Sequence, residues 1–252
     1  MPFLSVKNLG VSFGGLKAVD GFSLEMGKDE LLGLIGPNGA GKTTVFNLLT
    51  GVYAPSQGSV SFNGKIISKL RTSAINDAGI ARTFQNIRLF KNLSVMDNVR
   101  IALHGSMRYS PLTGILRLRE YWEQEEETDR RAVEILEVFG LSDAKDEKAS
   151  SLPYGRQRKL EIARALGSSP KLLLLDEPAA GMNHSETSEL MDTISFVRKK
   201  FSVAILLIEH DMQLVMGICE RIVVMDYGTV IASGSPEEIK SSKVVIAAYL
   251  GE

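Results

Sequence analysis

Two hydrophobic rhythms alternate along the chain. Short apolar runs with period two, or none, predict strands, and apolar positions three and four apart predict helices. Near the N-terminus, residues 3–6, 11–13 and 22–24 read as short strands separated by glycine-containing turns, with residues 60–62 as a further member. The next run, Glu30-Leu-Leu-Gly-Leu-Ile, is apolar with little alternation, as expected of a strand buried on both faces. It meets a glycine-rich loop at Gly36, and residues 42–50 predict a helix that stops at Gly51.

From about residue 86 to 165 the helical rhythm takes over. Residues 93–103 and 129–139 carry apolar side chains at helical spacing, among them Val133, Leu136 and Phe139 with Ile135 adjacent, and Gly140 is a helix stop. Between them lies a charge run: Arg108, Arg117 and Arg119, then Glu120, Glu123, Glu125, Glu126 and Glu127. Such a run reads as a solvated helix face, with a docking surface for a partner as the alternative. Beyond residue 165 strands and helices alternate again. Residues 172–175 and 204–208 predict strands around a helix over 186–200, for which Asn183 is the cap and Glu186 its partner three residues on. Residues 222–225 and 229–231 predict a hairpin across Asp226-Tyr-Gly, and Ser235-Pro-Glu-Glu opens a final helix. The layout is α/β with a helical insertion.

Composition narrows the class. The 252 residues are 44% hydrophobic and 23% charged, and 29 Lys+Arg against 30 Asp+Glu leave a net charge of −1. That excludes a strongly basic nucleic-acid binder and an acidic disordered chain. The single cysteine, Cys219, excludes an intrachain disulfide framework and a multi-cysteine zinc site. The longest apolar stretches are strand-length, well short of the roughly 20 residues that cross a bilayer, and Met1-Pro-Phe-Leu-Ser-Val-Lys lacks the pattern of a secretory leader. A cytosolic chain is expected.

The chemistry begins at Gly36-Pro-Asn-Gly-Ala-Gly-Lys-Thr, which fits the phosphate-loop pattern between a strand and a helix. Gly36, Gly39 and Gly41, with Asn38 and Ala40 between them, let successive backbone N–H groups turn inward around phosphate oxygens. The helix starting at Lys42 adds its positive end. Lys42 should reach the β- and γ-phosphates, Thr43 should offer its hydroxyl to Mg²⁺, and Thr44 should help hold the α-phosphate. A second element is Leu172-Leu-Leu-Leu-Asp-Glu, which sets two carboxylates at the carboxyl end of a buried strand, where ligands of open α/β sheets bind. Asp176 would hold Mg²⁺ through water, and Glu177 would orient or deprotonate the attacking water.

Leu152-Pro-Tyr-Gly-Arg-Gln-Arg, opening a helix through Leu166, resembles the signature of ATP-binding-cassette (ABC) ATPases. Gln85 in Thr83-Phe-Gln-Asn, Ala180-Gly-Met-Asn and His210 in Ile208-Glu-His-Asp stand around it in the family's order, so the resemblance runs from Phe3 to about Leu250. It implies an α/β fold: a P-loop core with a mixed central sheet, an antiparallel β-subdomain and a helical subdomain insertion. The core would take residues 1–85 and 166–252 of a single domain, and the insertion about 86–165. ATP and Mg²⁺ are the implied cofactors. By the same resemblance Phe13 stacks on adenine, Gln85 offers its carbonyl oxygen to Mg²⁺ or water, and His210 contacts the γ-phosphate. Tyr154 and Gly155 would close on nucleotide held by a second ATPase chain paired head to tail. His104 and His184 match no motif.

The signature departs from the common Leu-Ser-Gly-Gly-Gln form: Pro153 replaces the serine, Tyr154 the first glycine and Arg156 the glutamine. This removes a hydroxyl donor to the γ-phosphate. The variant is similar to that of branched-chain amino-acid (Liv-type) importers. Arg82-Thr-Phe-Gln-Asn-Ile-Arg-Leu-Phe, Leu160-Glu-Ile-Ala-Arg-Ala-Leu and the terminal Tyr-Leu-Gly-Glu agree, and the insertion around residues 103–127 looks like that of the larger ATPase of such importers. The resemblance implies two membrane permeases docking near Gln85 and residues 86–99, and a second, smaller ATPase as a heterodimer partner, with a homodimer as the alternative. It also implies indirect service to an extracytoplasmic solute-binding protein, and a place on the inner face of the membrane. Urea or amide importers and lipopolysaccharide-export ATPases are the related alternatives. A soluble cassette acting on ribosomes or DNA is disfavoured by a single phosphate loop and the lack of sustained heptads, and a kinase by the unexplained signature and His210.

Overall fold

The computed structural model describes residues 2–105 and 119–250. Its centre is a six-stranded sheet in the order β10-β9-β3-β8-β7-β6. These strands are β3 (Leu31–Ile35), β6 (Ile80–Arg82), β7 (Leu172–Asp176), β8 (Ala204–Ile208), β9 (Arg221–Asp226) and β10 (Thr229–Gly234). Strand β3 pairs in parallel with β8 and β9, β7 in parallel with β6 and β8, and only β10 runs antiparallel. The parallel order sets the carboxyl ends of β3, β8, β7 and β6 side by side along one edge.

The unbroken apolar runs of these strands are explained by two hydrophobic cores, one on each face. Leu31, Ile35, Leu173, Leu175, Ile205 and Leu207 pack into one. Their neighbours Leu32, Leu34, Leu172, Leu174, Leu206 and Ile208 pack into the other. Period-two geometry sends alternate side chains to opposite faces, so a strand covered on both must be apolar throughout.

The second core is closed by an antiparallel sheet, β2-β1-β4-β5, built from β1 (Leu4–Phe13), β2 (Leu16–Met26), β4 (Gln57–Phe62) and β5 (Lys65–Ile66), and by helix α1 (Lys42–Leu49). Here the structure corrects the expectation of separate strands over 3–6 and 11–13. They form one strand, because the pairing with β2 shifts register after Val6 and Asn8 takes a left-handed φ of 47°. A bulge thus absorbs the polar interruption that reads as a turn. The helical rhythm resolves into α3 (Val95–His104), α4 (Arg119–Val138) and α5 (Tyr154–Gly167), which pack on one another.

Of the charge run, Arg108 and Arg117 lie outside the described residues. The remainder is not simply a solvated face. Glu125, its side chain only 14% exposed, pairs with Arg100 of α3 at 3.0 Å, and Arg100 also lies 2.8 Å from Asp129. Later helices are α6 (His184–Phe201), α7 (Met212–Ile218), α8 (Pro236–Ser241) and α9 (Lys243–Leu250). Both expected capping boxes are present, Asn183 with Glu186 and Ser235 with Glu238. Helix α2 (Thr72–Asp77), β6 and α7 are too short to carry a periodic signal. Among the described residues no helix is long and apolar enough to cross a membrane.

Candidate active site

The glycine-rich loop leaves the end of β3 and turns directly into α1. Two positions explain why glycine is required. Gly36 has φ 148°, and a Cβ there would fall 2.0 Å from the Met225 carbonyl oxygen. Gly41 has φ 98°, and a Cβ would sit 2.6 Å from the carbonyl oxygen of Ala18. The loop therefore lies against β9 and β2 at backbone distance. It is fixed from outside by the Gly228 N–H, which donates to the Ala40 carbonyl at 3.0 Å. Helix α9 also reaches it, where the Tyr249 hydroxyl, on an exposed side chain, meets the Gly36 backbone. Lys42 is the first residue of α1, and its ammonium donates to the carbonyls of Gly36 (2.6 Å) and Pro37 (2.8 Å). Burial pulls this lysine below its ordinary pKa, while the Glu177 and Asp176 carboxylates act to raise it.

Beside the loop, β7 ends in Asp176, and the chain then turns sharply at Glu177. That residue holds a left-handed φ of 49°, uncommon for anything but glycine. Its N–H donates to Ile208 at 2.9 Å, and its Oε2 accepts from the Gln85 amide at 3.0 Å. An open cleft of about 720 Å³ collects Asn38, Gly39, Ala40, Gly41, Lys42, Thr43 and Thr44 with Gln85 and Glu177. Leu16, Lys17, Ala18, Tyr227 and Gly228 complete its wall. Backbone donors, an ammonium and a carboxylate thus converge where a polyphosphate can lie against a helix N-terminus.

Not every expected residue lines this cleft. Asp176 is buried behind it, with one carboxylate oxygen 2.8 Å from the Arg82 guanidinium. Phe13, 45% exposed, stacks edge-to-face on Tyr53 outside the lining. His210 follows β8 with its ring exposed, 3.7 Å from the Glu209 carboxylate. Tyr154 and Gly155, at the start of α5, lie away from the cleft: the Tyr154 ring rests on Gly181, and Gly155 faces the Glu186 carboxylate of α6. Two of the motifs legible in the sequence, the signature and residues 180–183, therefore touch each other.

The family model for ABC transporters matches residues 19–180. This chain belongs to the ABC transporter ATP-binding family. A second model, for branched-chain amino acid ATP-binding cassette transporters, matches residues 229–252. The high-affinity branched-chain amino acid transport ATP-binding protein LivG of Salmonella typhimurium is 46% identical over 251 residues, an alignment covering all of this chain and 98% of LivG. BraF of Pseudomonas aeruginosa is 44% identical over the same spans, and the lipopolysaccharide export protein LptB of Haemophilus influenzae is 32% identical. Among solved structures, the ADP conformation of the cassette MJ1267 superposes with TM-score 0.87 at 32% identity over the whole of both chains. A nucleotide-free cassette superposes at 0.86 with 34% identity.

Three buried charged side chains stand within the sequence motifs without a role assigned by them. Arg82 is one. Arg158, wholly buried in α5, donates to the carbonyls of Phe84 (2.8 Å) and Gln85 (2.7 Å), to Glu161 (3.0 Å) and to the Tyr154 hydroxyl (3.0 Å). It ties the signature to the segment that carries Gln85. Glu209 accepts the N–H groups of Ala179, His210 and Asp211, joining the loops after β7 and β8. The signal available in the sequence was local: a charge at the end of an apolar run, or a charged pair three residues apart on a helix.

Proposed function

We propose that the chain is the ATP-hydrolysing subunit of a branched-chain amino-acid importer. The observation that carries this reading is the branched-chain transporter match over residues 229–252, the segment from β10 to α9 that reaches back to the phosphate loop. The 46% identity to LivG along the whole chain, against 32% to LptB, supports the same choice.

In this reading the backbone of residues 36–44 and the Lys42 ammonium bind the phosphates, and Phe13 stacks on the adenine. The donors suit Mg²⁺, which prefers a few hard oxygens completed by phosphate and water. The Thr43 hydroxyl and the Gln85 carbonyl, with Asp176 through water, would hold it, and when bound it supplies charge neutralisation at the transferred phosphate. Glu177, fixed by Gln85 and by the backbone of Ile208, orients the attacking water and takes its proton, and His210 contacts the γ-phosphate. Tyr154 and Gly155 face away from their own cleft, as they would if they completed the site of a second ATPase chain.

The division of the domain into a core (1–85 and 166–252) and a helical insertion (86–165) fits the mutual packing of α3, α4 and α5. Two membrane permeases would dock near Gln85 and residues 86–99, placing the chain on the inner face of the membrane. A smaller cassette would be the pairing partner, and a solute-binding protein would act from the far side. Affinity purification of the tagged chain from gently solubilised membranes tests this: two permeases with a shorter second cassette are expected. Export-bridge proteins would move the assignment to lipopolysaccharide transport, and ribosomes or DNA alone would overturn it.

A further inference from the structure

Arg82 ends β6 with a side chain only 6% exposed, facing an Asp176 side chain that is 3% exposed. Its guanidinium joins three segments of the site. One terminal nitrogen donates to Asp176 Oδ2 at 2.8 Å. The other donates to Asn47 Oδ1 at 2.7 Å and to Thr50 Oγ1 at 3.3 Å, on the last turn of the helix that begins at Lys42. The rings of Phe46 and Phe84 flank it, with centroids 5.4 and 5.2 Å from its Cζ. Phe84 directly precedes Gln85, the residue bound to Glu177.

A buried carboxylate needs a counter-charge, and any cation would meet that need. The planar fork does more. It fixes the direction from which Asp176 is held and spans to a different element with its second nitrogen, in a rigid planar spacing that a point-like ammonium does not impose. This one side chain links the Asp176 carboxylate to α1, the helix that carries Thr43 on its first turn.

We propose that Arg82 is a positioning residue for ATP turnover: it orients the Asp176 carboxylate against α1 and thereby sets the metal-binding side of the cleft. The inference rests on the metal role proposed above for Asp176. Arg82 itself lies outside the cleft lining, so its effect should pass through the metal rather than through the nucleotide.

The test measures ATP affinity of the purified full chain with Mg²⁺ and again in EDTA, for the wild type, Arg82→Lys, Asn47→Ala and Asp176→Asn. Arg82→Lys keeps the charge and loses the fork. It should shrink the Mg²⁺-dependent gain in affinity about tenfold, the usual scale for a residue that orients a metal ligand, and leave affinity in EDTA within about twofold. Asn47→Ala spares the Arg82–Asp176 pair and removes the second anchor, so it should move the gain the same way by about threefold. Arg82→Lys combined with Asp176→Asn should lose no more than Asp176→Asn alone.

A full Mg²⁺ gain in Arg82→Lys, or an equal loss with and without Mg²⁺, overturns the proposal when Asp176→Asn has itself lost the gain. If Asp176→Asn keeps the gain, the reading of Asp176 fails instead, and this inference falls with it. Should Arg82→Lys fail to fold, Asn47→Ala decides, and an unchanged Mg²⁺ gain there overturns the proposal.

Discussion

At the scale of single residues, the site is built from conformations that most side chains avoid. Glu177 sits in the left-handed region, at a cost of about 1 kcal/mol or more for a residue with a Cβ. Its amide is held by Ile208 and its carboxylate by Gln85, so the end of β8 and the segment after β6 fix the conformation. A strained acid at the mouth of a phosphate cleft supports the water-positioning role proposed for it. Lys42 is the complementary case, a cation held partly out of water by the loop whose carbonyls it binds. Lys42→Ala should weaken ATP binding by about 1.5–3 kcal/mol, the range for a hydrogen bond to a charged group, read by calorimetry on the purified chain. An affinity unchanged by the substitution would remove Lys42 from the phosphate site.

Elements place these residues by register. Strands β3, β8 and β7 lie side by side and in parallel, so the ends that carry Gly36, Glu209 and Asp176 come together without any long-range adjustment. The loops beyond the strands need a fastener, and Glu209 provides one through three backbone N–H groups. Burial nevertheless pushes its carboxyl above the ordinary value of 4.5. The folded chain then keeps a proton that the unfolded chain has already lost, so stability from this group is fully present below pH 4.5 and is lost as pH rises through the raised value. Glu209→Gln removes the titration. Urea midpoints measured from pH 4.5 toward neutrality should fall more steeply for the wild type than for the variant, and parallel pH profiles would refute the assignment.

For the whole molecule, the placement of the signature decides what one chain can do. Tyr154 and Gly155 pack on residues 181 and 186, away from the cleft, so the chain presents a phosphate site and a signature as separate surfaces. Glu177→Gln should therefore keep ATP binding, abolish most hydrolysis and accumulate an ATP-bound pair, seen as a doubled mass by light scattering in the presence of MgATP. A variant that hydrolyses at the wild-type rate would displace Glu177 from its role.

Local chemistry made the phosphate loop, the acidic strand end, both capping boxes and the doubly buried strands legible, because each depends on residues within a few positions of one another. The bulge that joins two apparent strands into β1 was hidden, since it depends on pairing with β2. The Arg82 junction, the Arg158 clamp and the Glu209 fastener were hidden for the same reason: their partners lie on other elements, up to 94 positions away for Arg82 and Asp176. Sequence by itself determined most of the longer strands and helices and what chemistry they bear. Only the tertiary structure decided which buried charges answer one another, because desolvation forces each to find a partner in space rather than along the chain.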